Sequence, residues 1–230
     1  MTMFGRRSKK AESAGSEAEV GSEATETEAE TVGETPSATS RFDRSDGPWD
    51  SSEREVPEDD PTWVDVGAMV LHGRVGLDLQ IPTDPETGAA SAVVMRGDES
   101  AVELRAFAAP RSGGLWSQVR PEIVAEVGRV GGKVEERDGS FGAELRVEVP
   151  VKLADGKQGV QTTRIIGIDG PRWLLRGTFM GRLATEPDDD SVLEQAVREV
   201  VVVRGGDPMP PREQIPVVVP AGAVRMEQKA

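Results

Sequence analysis

The chain has 230 residues, a formal net charge of −14 and no cysteine. The missing thiols exclude disulfides, cysteine nucleophiles and thiolate metal sites, and they fit a reducing compartment. The acidic balance disfavours nucleic acid as a partner, because binding phosphates needs clustered positive charge.

Residues 1–44 predict a disordered acidic tail with a basic tip. The start, MTMFGRRSKK, has no apolar core behind it and does not read as a secretory leader. Residues 11–40 are Glu, Ala, Ser, Thr and Gly with almost no large apolar side chain. That is too little to offset an ordering entropy of about 1–2 kcal/mol per residue. Residues 1–61 carry −9 of the −14. The basic tip reads either as a weak anchor for an anionic surface or as part of a solubilising tail, and the neighbouring glutamates favour the second. Segment 45–61 predicts a linker with an aromatic docking element. Phe42 and Trp49 are isolated aromatics in an acidic stretch, placed to dock on this chain's own domain or on a partner.

A globular character begins at Trp63, and residues 62–220 predict a single α+β domain. LDLQI at 77–81 alternates as a half-buried strand. SAVVMR at 91–96 and AVELRAFA at 101–108 flank a four-residue turn and predict a hairpin. Trp116, Val119, Ile123, Val127 and Val130 recur at helical spacing, giving a helix over about 115–130 that ends at Gly131 and Gly132. Pro121 is a difficulty, because a proline inside a helix removes a hydrogen bond. The regular helix therefore either begins near Arg120 or carries a separate, bent first turn. KVEERD at 133–138 with AELRVEVPVK at 143–152, and QTTRIIGI at 161–168 with RWLLRGTFM at 172–180, predict two more hairpins. The second of these turns on Asp169 and Gly170. A second helix is expected over about 190–203, where Ser191 and Glu194 have the spacing of a capping box. The chain closes in a proline-stiffened segment, with residues 221–230 read as disordered. A mostly antiparallel sheet built from hairpins, with two main helices packed on it, is the resulting fold class. No stretch approaches roughly 18 apolar residues, so no membrane span is expected and the cytoplasm is the default location.

Enzyme signatures are missing. His72 is the single histidine and the chain has no tyrosine. A triad, a multi-histidine metal site and phenolic acid–base chemistry are therefore out within one chain. There is no G-x-S-x-G, Walker or G-x-G-x-x-G sequence. Asp188, Asp189 and Asp190 lack the alternating ligands of a cation loop and are accounted for by the helix dipole behind them. No catalytic residue, metal or cofactor is expected. The best constellation is basic. Arg111, Ser112, Gly113 and Gly114 precede a helix, where free N–H groups and the dipole favour an anion. Arg172 and Arg176 flank Trp173 and are able to hold phosphate or carboxylate bidentately. If the two regions meet they form an anion site; otherwise Arg111 pairs with a carboxylate and the glycines only make the turn. PMPP at 208–211 offers a polyproline surface or a strap across the sheet.

The blocks FAAPRSGGLWSQVRPEI, GGKVEERDGSFGAEL, GIDGPRWLLRG and VVVRGGDPMPPREQIPVVVP, with GPWD at 47–50, resemble an actinobacterial family defined only as a domain of unknown function. The resemblance covers about residues 45–220. It implies no activity and no cofactor, so no functional residue carries over. The expected role is a non-enzymatic interaction module with a protein partner. The alternative is a binder of a small anion that uses the arginines above, and an enzyme ranks last.

Overall fold

The computed structural model describes residues 42–153 and 156–223. Most of the expected acidic tail and residues 224–230 of the expected C-terminal tail lie outside the described residues.

The fold is α+β and mostly antiparallel, with its strands in two sheets rather than one. Trp49–Asp50 (β1), Trp63–Asp65 (β2) and Met69–His72 (β3) come first, followed by Asp78–Gln80 (β4), Val93–Arg96 (β5) and Ser100–Ala108 (β6). A long helix, Leu115–Arg129 (α1), leads into Lys133–Gly139 (β7), Gly142–Lys152 (β8), Gln158–Gly170 (β9) and Trp173–Gly181 (β10). Short Arg182–Thr185 (α2), then Val192–Glu199 (α3) and Val201–Val202 (β11) complete the order. The large sheet runs β4-β5-β6-β10-β9-β8-β7 and the small one β1-β11-β3-β2. The three long hairpins form as the alternation predicts, with Trp173 opposite Gly170 in the last of them.

Period-two patterning gives the large sheet two apolar faces. Val102, Leu104 and Ala106 of β6 and Ile166, Ile168, Leu175 and Phe179 point to one side. There they pack with Met69, Leu71 and Val202 of the small sheet and with Leu193, Ala196 and Val197 of α3. Leu145, Val147 and Leu174 point to the other side, against Leu115, Trp116 and Val127 of α1. The central strand β10 is covered on both faces, so Trp173, Leu174 and Leu175 are all buried. Each such side chain contributes about 1.5–3 kcal/mol by leaving water.

One expected boundary moves, and one alternative closes. Helix α1 runs Leu115–Arg129 as the spacing predicts, and it carries Pro121 in its interior instead of starting there or breaking into a separate first turn. Helix α3 ends at Glu199, four residues short of the expected 203, because the valine run that follows is strand. β-branched residues lose rotamer freedom in a helix and pack well in a sheet. Val201 pairs with Trp49 on one side and Val70 on the other. Segment 45–61, read as a linker, thus contributes β1.

The end of the chain sets up the candidate site. Residues 212–218 strap the free end of β6: Arg212 N–H donates to Ala108 O at 2.7 Å, Ile215 N–H to Ala106 O at 2.9 Å, and Val218 N–H to Val66 O at 2.8 Å. Ahead of the strap, residues 204–211 loop out beside the β9–β10 turn.

Candidate functional site

The Arg111 to Gly114 turn is built by backbone geometry. Gly113 N–H donates to Pro110 O at 3.0 Å, and Gly113 and Gly114 hold φ of 67° and 75°. That left-handed conformation favours glycine. The helix start that follows already has an anion. The Asp169 carboxylate accepts from Leu115 N–H at 2.8 Å and from Trp116 N–H at 3.3 Å. Gly114, the capping residue, has no side chain to do this, so the end of strand β9, 54 residues away, supplies the cap. Ser112 and Gly114 line a small hollow of about 280 Å³ beside Arg120, Trp116, Phe42 and Asp169.

Arg111 turns away from that hollow into a larger one of about 630 Å³. Arg172 and Arg204 share this second hollow, together with Ala109, Asp207, Met209 and the prolines at 110, 208, 210 and 211. Each arginine arrives by a different route. Arg111 follows the end of β6. Arg172 sits in the β9–β10 turn with φ of 62°, an unfavourable conformation for a residue with a Cβ. It is held there by Ala109 N–H donating to its carbonyl at 2.8 Å, and its Nη2 donates to Gly205 O at 2.9 Å. Arg204 follows β11, is 9 % exposed, and donates from Nη1 to Asp207 O at 3.1 Å. Its buried Nε has no hydrogen-bond partner among the described residues.

Among the described residues, most arginines reach a carboxylate, as with Arg44 to Glu53, Arg74 to Glu199 and Arg212 to Glu122. None of Arg111, Arg172 and Arg204 does. Sequence reasoning missed Arg204, which reads as part of a proline-rich tail. The available signal was a lone arginine between four valines and two glycines.

Arg176 is not brought to this groove. It lies on the β10 face that looks toward α1, directly opposite Arg105, with its guanidinium 5.3 Å from the Phe107 ring centre. Burial, with the Arg105 charge behind it, lowers its affinity for its proton. Phe42 and Trp49 both meet the domain. The Phe42 ring lies 5.9 Å from that of Phe141, and Trp49 N–H donates to Val200 O at 2.8 Å as β1 pairs with β11. Asp50 then accepts from buried Trp173 Nε1 at 2.7 Å.

A family model described as "Protein of unknown function (DUF3710)" matches residues 47–226. The chain belongs to this family. No curated protein matches the chain. The DUF3710 match begins at Gly47, just ahead of β1, and so takes in that strand as well as all three groove arginines.

Two further polar clusters lie within the DUF3710 region. Arg164, fully buried, reaches Glu144 at 3.2 Å and also Glu194, over the face of Phe179. Ser191 caps α3 by accepting from Glu194 N–H at 3.3 Å, but the Glu194 carboxylate turns inward to Arg164 and Ser140 instead of closing a reciprocal box. Burial pushes the Glu144 carboxyl up, against the pull of Arg164. At the other end of α3, Glu199 accepts from His72 Nδ1 at 2.9 Å and from Arg74 Nε at 3.0 Å, and His72 stacks on Trp63. Burial would raise Glu199, but the hydrogen bonds from Arg74 and His72 outweigh it and hold the carboxyl below its usual range. These contacts make His72 part of a structural cluster. Among the described residues no three His, Asp or Glu side chains gather as metal ligands, and no helix is long and apolar enough to cross a membrane.

Proposed function

We propose that the domain is a binding module rather than a catalyst, and that it holds a small molecule carrying a phosphate or carboxylate between Arg111, Arg172 and Arg204. The observation that carries this reading is that three arginines line one groove with a single carboxylate, Asp207, and none of the three makes an ion pair among the described residues, in a chain with 41 acidic residues to 27 basic ones. Unpaired cations close together repel, and nearby acids normally neutralise them. An incoming anion would relieve that repulsion, and Arg offers it a planar, bidentate fit. Arg176 stands outside this reading, and Ser112, Gly113 and Gly114 shape the turn that places Arg111.

A second reading, a docking surface for a protein partner, rests on the exposed Pro208, Pro210 and Pro211 along the same groove. A thermal-shift screen of organic anions on the full chain tests the first reading. The expected result is a rise in melting temperature with millimolar phosphate or carboxylate compounds, lost in Arg111→Ala. No shift with any anion rejects it. A partner recovered by the full chain and lost on Pro210→Ala, with no anion effect, favours the second.

A further inference from the structure

We infer that the groove selects a phosphate monoester on an aliphatic body, over both a carboxylate and free phosphate. This rests on the anion-binding reading above and gives that reading a chemical class.

Charge sets the head group. Three guanidiniums and the Asp207 carboxylate leave two positive charges along the lining. A phosphate monoester near neutral pH carries about −1.5 to −2 and matches that balance, whereas a monocarboxylate leaves one cation unmet. The donors are arranged for several oxygens. Arg172 and Arg204 are each pinned by one bond to the 205–207 loop, which fixes their remaining N–H groups. Arg111 is exposed and bonds to nothing among the described residues, so it is able to fold over a bound head group. Two fixed donors and one mobile one suit a tetrahedral group with three terminal oxygens.

Volume and lining set the body. A hollow of about 630 Å³ is in the range that small-molecule sites occupy, far more than a lone phosphate fills. The rest of the wall is Ala109, Gly206, Met209 and four prolines. Prolines are rigid and lose little freedom on binding, and methionine adapts to irregular apolar shapes. Among the described residues no aromatic ring lines the groove, which gives it no platform there for stacking a nucleobase. An aliphatic chain or ring is what such a wall accepts. The same chemistry occurs in soluble esters and in phosphatidate headgroups. The acidic domain surface opposes approach to an anionic bilayer, which favours the soluble ester.

Isothermal titration of the full chain with hexyl phosphate, its monomethyl ester, hexanoate and inorganic phosphate decides the matter, with vesicles containing phosphatidate as a fifth arm. Hexyl phosphate is expected to bind at least tenfold more tightly than each of the other three soluble probes, and at least tenfold more weakly to Arg111→Gln. Arg172→Gln serves as the second variant, and each variant is checked for an unchanged circular-dichroism spectrum. Equal affinity for hexanoate or the monomethyl ester overturns the dianion head group but leaves anion binding standing. Equal affinity for inorganic phosphate overturns the aliphatic body. Tight binding to vesicles without binding of hexyl phosphate overturns the soluble ligand. No binding of any probe overturns this inference and the parent reading together.

Discussion

Asp169 shows how one carboxylate decides between two uses of a helix start. The free N–H groups of α1 would attract an external anion, but a side chain from the end of β9 already occupies the position. What remains available for a ligand is the set of arginines just beyond it. Glu144 is a second carboxylate whose setting has a measurable consequence. Its folded pKa is raised by burial, so the folded state holds the proton more tightly than the unfolded chain does. The stabilisation is complete below the unfolded carboxylate value, and it is lost as pH rises through the raised folded value. Urea unfolding of the wild type and of Glu144→Gln between pH 4 and pH 8 reads this directly. The variant, which stays neutral, is expected to gain stability relative to the wild type as pH rises across that window.

Helix α1 tests the balance between local propensity and packing. Pro121 lies in its interior and leaves one hydrogen bond unmade, an effect on the order of 3 kcal/mol against a helix. The helix nevertheless starts at Leu115. Asp169 caps it, Trp116 lies flat over Gly167 and donates from Nε1 to Ala143 O at 2.6 Å, and Leu115 is buried. Pro121→Ala is therefore expected to raise stability by about 1–3 kcal/mol, seen as a higher melting temperature with an unchanged fold. The same contest marks what the sequence makes legible. The three long hairpins could be read because alternation and turn residues are local signals. Whether Pro121 would sit inside α1 or break it could not, because the carboxylate that caps the first turn comes from a strand more than fifty residues away. The small sheet was hidden for the same reason: β1 and β11 are two residues each, and nothing near either one announces the other. In the groove, Arg111 and Arg172 were legible from glycine and turn context. Arg204 was not, because its role depends on a loop that brings it back beside the β9–β10 turn.

At the level of the whole molecule, residues 42–53 act as a clasp. β1 pairs with β11, Asp50 bonds buried Trp173, and Arg44 reaches both Glu53 and the face of Trp173. Removing residues 1–53 strips Trp173 Nε1 of its acceptor and uncovers Phe141. A buried donor left alone costs about 1–3 kcal/mol, and the lost apolar cover adds to it. Chemical denaturation is expected to show that loss relative to a chain lacking residues 1–41 alone, which keeps the clasp whole.

The clasp also orders events in time. Trp49 meets Val201 across about 150 residues of intervening chain, so this pairing is among the last that a growing polypeptide is able to make. During synthesis the early segment waits, with its tryptophan uncovered, until nearly all of the domain has emerged. A message cut short before β11 would yield a protein with its large sheet complete and its other layer unable to close. Such a product would show to the quality-control machinery an apolar face that is covered only once β11 pairs with β1 and β3.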